Sequence, residues 1–234
     1  MFKNPVVLAS YFNYKEDPQR KIKWNCDYSK VLTLVKSVVE KEINIKIFND
    51  CFENTPYFEK CSWEKVKVNT SFNPNVFRHF INLDYLKKNK ENISFVFMVD
   101  STDVEMLKNP FPEMKDGLIY VGSELQKVGC KWMQENQGQF LKITDYNEII
   151  EKNKNETLIN CGIIGGEVSV IINFLEKLTS YHSEYSRNLV SSSDMSIFNY
   201  TIWKHFKEKI EYGTKVNTKF KKNERNEVSW WKHK

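Results

Sequence analysis

No stretch of this 234-residue sequence is a long apolar run. None reaches the roughly 18 to 20 residues that a membrane-spanning helix needs, so no membrane span is expected. Paired cysteines are also missing. The five cysteines, Cys26, Cys51, Cys61, Cys130 and Cys161, include no Cys-x-x-Cys pair. Their scatter excludes a zinc site, and their odd number reads as reduced thiols in a cytosolic protein. Met1 leads almost directly into an apolar strand without a signal peptide, so a cytoplasmic location is expected, in a host cell if the chain is viral. Neither sign of charge dominates: 35 basic and 30 acidic residues give +5. The basic residues form no long run before the tail. No nucleic-acid partner is expected, and the modest excess suits an anionic small ligand. Repeats, linkers and low-complexity segments are absent. So are the Gly-x-Gly-x-x-Gly dinucleotide fingerprint and the Gly-Lys-Ser/Thr phosphate loop.

The apolar content of 41% and aromatic content of 14% argue against disorder and for a sizeable core, read as one domain over residues 1–234. Apolar runs and helical stripes alternate along the chain. "PVVLASYF" (Pro5 to Phe12) reads as a first buried strand, and "DYSKVLTLVKSVVEKE" (Asp27 to Glu42) as a helix capped by Asp27. "INIKIF" (Ile43 to Phe48) and "EKVKVNT" (Glu64 to Thr70) alternate as strands do. "NPNVFRHFINLDYLKKNK" (Asn73 to Lys90) carries a helical apolar stripe with Pro near its start. "ISFVFMVD" reads as the central strand and "GLIYVGS" (Gly117 to Ser123) as another. "ETLINCGIIGGEVSVIINFLEKLTSYH" reads as a strand, a glycine turn and a long helix. "SSSDMSIFNYTIWKHF" (Ser191 to Phe206) opens on capping residues and continues as a helix. The predicted fold class is α/β: a mixed, mostly parallel sheet flanked by helices on both faces.

The chemistry-bearing stretch is "ISFVFMVDSTDVEMLKNPF" (Ile93 to Phe111), where a buried strand ends in two acids, Asp100 and Asp103. Open α/β sheets collect ligands beyond the carboxyl ends of their strands. Two carboxylates in one short turn repel each other unless a positive group lies between them. Oxygen ligands of this kind suit Mg²⁺ or Mn²⁺, completed by water and a substrate phosphate. The alternative makes Asp103 the cap of a helix over "VEMLKN" and Asp100 a turn residue. The glycines of "LINCGIIGG" (Leu158 to Gly166) admit two readings, a close approach to a ligand or a tight strand-to-helix turn.

"FVFMVDSTDVEMLKNPF", "LIYVGSE", "NCGIIGG", "SSSDMSIFNY", "VNTKF" and the terminal "WWKHK", taken in order, resemble a nucleotide-sugar glycosyltransferase of the GT-A fold. They are similar in particular to the small single-domain enzymes of large DNA viruses and microbes. The resemblance spans Val6 to Lys234 and implies a nucleoside diphosphate sugar donor, UDP-linked rather than GDP-linked. It also implies a glycan or glycoprotein acceptor and a Mn²⁺ or Mg²⁺ cofactor. Ala9, Ser10 and Tyr11 match the strand end that holds the nucleotide base. Arg78 matches a helix arginine directed into the donor site, although helical spacing alone allows a solvated or capping residue. Asp100 and Asp103 match the aspartate metal motif, here spaced Asp-x-x-Asp rather than Asp-x-Asp. Asp103 is expected to ligate the metal, with Asp100 as a second ligand or as partner to the ribose or a metal-bound water.

His233 matches a late histidine that supplies a third metal ligand, and Lys234 would neutralise diphosphate charge as the leaving group departs. The alternative for both is a frayed basic tail, against which the two tryptophans before them argue, since they should be buried. Asn160 and Gly162 match the loop beneath the donor sugar. Asp194 matches an acid near the reacting centre, a base in an inverting enzyme or a stabiliser of the cationic sugar in a retaining one; otherwise it is a helix cap. Tyr57, Phe58, Trp132 and Tyr181 are candidate stacking platforms for an acceptor. Two other readings stay open. One is a nucleotidyltransferase that makes nucleotide sugars, against which the glycine-free "ASYFNYKEDPQRK" after the first strand argues. The other is a non-catalytic nucleotide- or sugar-binding module, against which the intact acids argue.

Overall fold

The computed structural model describes residues 3–18, 20–186 and 194–234. Strand β1 (Asn4–Tyr11) lies where "PVVLASYF" predicts it. Asp27 caps a short 3₁₀ turn, accepting a hydrogen bond from the Ser29 amide, and the α-helix proper, α1, covers Leu32–Val39. Strands β2 (Asn44–Asn49) and β3 (Cys61–Lys65) follow. β3 starts earlier than the predicted Glu64–Thr70. Its register with β2 runs from Ile45↔Cys61 to Asn49↔Lys65, so Val66 and Val68 fall past the end of the partner strand. They pack against the core from outside the sheet instead.

Helix α2 (Pro74–Asn89) has Asn73 as N-cap, its Oδ1 accepting from the Val76 amide at 3.1 Å, and Pro74 in the first turn where a missing N–H costs nothing. β4 (Ile93–Asp100) is the apolar run that ends in the first acid. Past it comes β5 (Val104–Met106), a strand where the capping alternative for Asp103 needed a helix. The remaining elements are β6 (Ile119–Lys127), α3 (Lys131–Glu135), α4 (Tyr146–Lys152), β7 (Thr157–Glu167), α5 (Val168–Tyr185), α6 (Asp194–His205), β8 (Ile210–Glu211) and β9 (Trp231–His233). The capping residues expected at Ser191, Ser192 and Ser193 lie outside the described residues.

Among the described residues, seven strands form one sheet in the order β3-β2-β1-β4-β7-β6-β8, and β5 pairs with β9 in a separate ribbon. β1, β2, β3 and β4 are parallel, β7 is antiparallel to both β4 and β6, and β6 is parallel to β8. The sheet is therefore mixed and mostly parallel, as the alternation of strands and helices predicted. Both faces are covered, which is why the inner strands read as unbroken apolar runs. Along β4, Val96 and Met98 pack with Phe77 of α2 and with Phe174 and Leu178 of α5. Phe97 and Val99 point the other way, to Leu34, Val35 and Val38 of α1 and to Trp230 and Trp231. No helix among the described residues is long and apolar enough to cross a membrane.

The glycine segment departs from the predicted turn. β7 runs unbroken through it, and the helix starts only at Val168. The glycines there make room. A Cβ at Gly165 would lie 2.5 Å from the Phe97 ring, and one at Gly166 2.7 Å from the Leu118 carbonyl.

Candidate metal centre and its cleft

Three strands deliver the centre. Asp100 ends β4 beside Ser10 at the end of β1, with which it is in register. The Ser101 hydroxyl donates to the Ser10 carbonyl at 2.8 Å and fixes the turn that follows. Asp103 then leads into β5, whose pairing with β9 sets Val104 opposite His233. That pairing brings the end of the chain to the acids. The Lys234 amide donates to the Asp103 carbonyl at 2.9 Å. Trp230 and Trp231 are fully buried, against the rings of Tyr120 and Phe97, so the tail is clamped rather than frayed.

The result is a compact donor set. Ligand atoms of Asp100, Asp103 and His233 all lie within 4.8 Å of one another. His233 Nε2 is 3.8 Å from Asp100 Oδ2 and 4.0 Å from Asp103 Oδ1. Opposed donors of a Mg²⁺-sized octahedral shell are about 4.2 Å apart and adjacent ones about 3 Å, so one ion can engage the set once the side chains close by about 1 Å. Asp103 Oδ1 and His233 Nδ1 are buried without a hydrogen-bond partner. Such orphaned atoms are costly unless a ligand or water meets them. Burial, reinforced by the Asp100 charge, pushes the Asp103 carboxyl up to about 7. Burial also pushes the His233 imidazole down to about 4, leaving it neutral and able to ligate. A divalent ion relieves the repulsion between the acids and satisfies the orphaned oxygen, so these residues fit one.

Gly162 belongs to the same construction. Between the pairs Val121↔Ile164 and Gly122↔Asn160 the register of β7 slips, leaving Cys161–Ile163 bulged on the β6 side. The Asn160 side chain closes the bulge by accepting from the Gly162 amide at 2.6 Å, and its Nδ2 donates to Glu124 at 3.0 Å. A Cβ on Gly162 would lie 2.5 Å from both Asp100 Oδ2 and His233 Cε1. Gly162→Ala is therefore expected to cost about 1–3 kcal/mol through overpacking and to abolish any Mn²⁺-dependent rise in melting temperature. A variant that melts and responds to Mn²⁺ as the wild type does would show that the glycine is not needed for space.

The centre opens into a cleft of about 410 Å³. Ser10, Tyr11, Arg78, Asp100, Asn160, Gly162 and Asp194 line it together with Asp103 and His233, although their positions in the sequence span the whole chain. Ala9 and Lys234 are not among the lining residues. The Ala9 side chain is buried in the α1-side core, and Lys234 is exposed. Of the candidate stacking rings, Trp132 lines the cleft, Phe58 and Tyr181 pack on the cores, and Tyr57 is solvent-exposed.

Arg78 reaches from α2 and joins the acids. It pairs with Asp100, donates to Asp194 Oδ2 at 2.9 Å, and bonds the Cys161 and Asn75 carbonyls. Burial opposes the Asp100 charge, but Arg78, His233 and Arg20 together outweigh it and hold that carboxyl below its usual range. For Asp194, burial wins and the carboxyl is raised despite Arg78. The cleft also holds residues that the sequence reading did not single out: Asp17, Arg20 and Trp24 beyond β1, Glu124 within β6, and Phe220 and Lys221 near the chain end. The available signal was positional, since β1 and β6 run parallel to β4 and their exits share its edge of the sheet. Neither protein-family models nor curated proteins match this sequence.

Proposed function

We propose that this protein is a metal-dependent glycosyltransferase of the GT-A type, moving a sugar from a nucleoside diphosphate donor, UDP-linked, to a hydroxyl of a glycan or glycoprotein. The observation that carries the reading is the Asp100–Asp103–His233 donor set, with a buried unpartnered carboxylate oxygen, at the floor of a polar cleft. The mixed, mostly parallel sheet is compatible with it. The cleft falls within the roughly 300–1,000 Å³ range of small-molecule sites. Trp24 supplies half-buried ring surface at one side, and Tyr11, which also lines the cleft, is buried and held by stacking on Phe52 at 4.9 Å and by its hydroxyl donating to the Asn25 carbonyl at 2.7 Å.

Asp100, Asp103 and His233 would hold Mn²⁺ or Mg²⁺, which supplies a positive charge against the diphosphate as it leaves. Arg78 fixes the Asp100 and Asp194 carboxylates in place. Asp194, buried and lining the cleft, serves the reacting centre as a carboxylate beside an oxocarbenium-like sugar or as acceptor of the hydroxyl proton. Trp132 offers a ring face to the acceptor sugar.

A melting experiment tests the reading. UDP and Mn²⁺ together are expected to stabilise the protein far more than either does alone. At a ligand concentration near 100 times Kd the gain is about 2.7 kcal/mol, or roughly 5–10 °C for a chain of this size. No response to the pair, with a response to a nucleoside triphosphate and sugar phosphate, would overturn the proposal in favour of a nucleotidyltransferase.

A further inference from the structure

We propose that Arg20 is a diphosphate-binding residue of this cleft, held at its mouth by a loop built around Asp17 and freed from Asp103 when a cation binds there; the assignment rests on the reading of the site given above. Three cationic side chains of Lys or Arg line the cleft among the described residues: Arg20, Arg78 and Lys221. Arg78 has little to offer an anion. Its guanidinium carries five N–H groups, and four already meet acceptors on Asn75, Asp100, Cys161 and Asp194. The arginine read as directed into the donor site is committed to two carboxylates and two backbone carbonyls.

Arg20 is placed differently. Asp17, 3% exposed, accepts the Arg20 amide on Oδ1 at 3.0 Å and the Arg20 Nη1 on Oδ2 at 3.0 Å. The Lys21 amide donates to the Asp17 carbonyl at 2.9 Å, closing the loop. The guanidinium carbon stands 5.4 Å from the centre of the Trp24 ring, which also lines the cleft. One carboxylate and one ring thus fix the stem and one arm. The other arm, Nη2, touches Asp103 Oδ2 at a looser 3.4 Å, and half of the side chain remains exposed.

The Asp103 contact puts a planar cation within reach of the position a metal-bound diphosphate would take. A divalent ion on Asp103 offsets the attraction that holds Nη2 there. The anion that this ion recruits is then the nearest negative partner, and a guanidinium fork matches its paired oxygens. Arg20 in this account stabilises bound diphosphate and does not ligate the ion.

Calorimetric titration of full-length wild-type, Arg20→Ala and Arg20→Lys proteins at saturating Mn²⁺ separates the possibilities, with UDP, inorganic pyrophosphate and uridine as probes. Arg20→Ala is expected to weaken UDP and pyrophosphate at least tenfold and to leave uridine unchanged. Arg20→Lys should recover only part of the loss, because a point charge lacks the fork. UDP and pyrophosphate binding within twofold of wild type in Arg20→Ala would overturn the assignment, as would an equal loss of uridine. Wild-type protein that binds pyrophosphate but not UDP would remove the nucleotide reading while leaving Arg20 its role. Wild-type protein that binds neither would remove both.

Discussion

Asp103→Asn is expected to eliminate Mn²⁺-dependent stabilisation and to lower sugar transfer by roughly a hundred- to a thousandfold or more, without lowering the melting temperature of the metal-free protein. Most substitutions of a buried group destabilise, so the second half of this expectation is the discriminating one. Asp103 is largely buried beside Asp100, and both conditions favour its protonated form. A carboxyl whose proton affinity rises on folding subtracts stability at every pH above its unfolded value. The full penalty is present once the pH exceeds the folded value of about 7. Asparagine keeps the shape and removes the charge, so the penalty goes with it. What it cannot do is neutralise a divalent ion. Melting curves at pH 8 with and without Mn²⁺ read both effects at once. Full Mn²⁺ stabilisation or normal turnover in Asp103→Asn would remove the metal role from this residue.

The elements and the acids were legible for the same reason: each is a local signal. β4 is an apolar run that terminates in a carboxylate, and a run of that kind fits a strand buried on both faces. Asn73 followed by Pro74 marked the start of α2. Trp230 and Trp231 announced that the tail is anchored, because two indoles seldom stay in water, and both are fully buried. The glycines of β7 misled because sequence spacing does not distinguish a glycine that turns from one that yields space. Gly162 faces a carboxylate and an imidazole, Gly165 a phenyl ring and Gly166 a carbonyl, and those neighbours lie far away in the chain. Val66 and Val68 misled in another way. Their alternation is real, but the partner strand ends at Asn49.

Arg20 and Glu124 were invisible because their significance depends on which loops share an edge of the sheet. Arg20 meets Asp103 across 83 residues of sequence and Glu124 meets Asn160 across 36. Arg78 was found, but its partners were not. Nothing in a helical stripe says that its guanidinium would be spent on two acids rather than offered to a ligand.

That commitment of Arg78 yields the other large effect. Arg78→Met is expected to destabilise the metal-free protein by about 3–5 kcal/mol, because it leaves a buried carboxylate without its counter-charge. Asp194 is only 3% exposed, and burial already presses on its charge with the arginine in place. His79 is a poor substitute: its Nε2 is 4.0 Å away, and burial, the largest cause of its lowered basicity, persists when Arg78 is removed. A drop of roughly 6–20 °C in melting temperature follows for a chain of this length. Two further measurements tie the loss to charge rather than to packing. Asp194→Asn in the Arg78→Met background should recover a large part of it, since the unpaired charge is then gone. Mn²⁺ should recover another part, because an ion on Asp100 and Asp103 restores positive charge to the cluster that Arg78 served. A melting temperature within about 2 °C of wild type for Arg78→Met would mean that Asp194 finds water or another donor in the cleft, and the ion-pair account of this centre would fail.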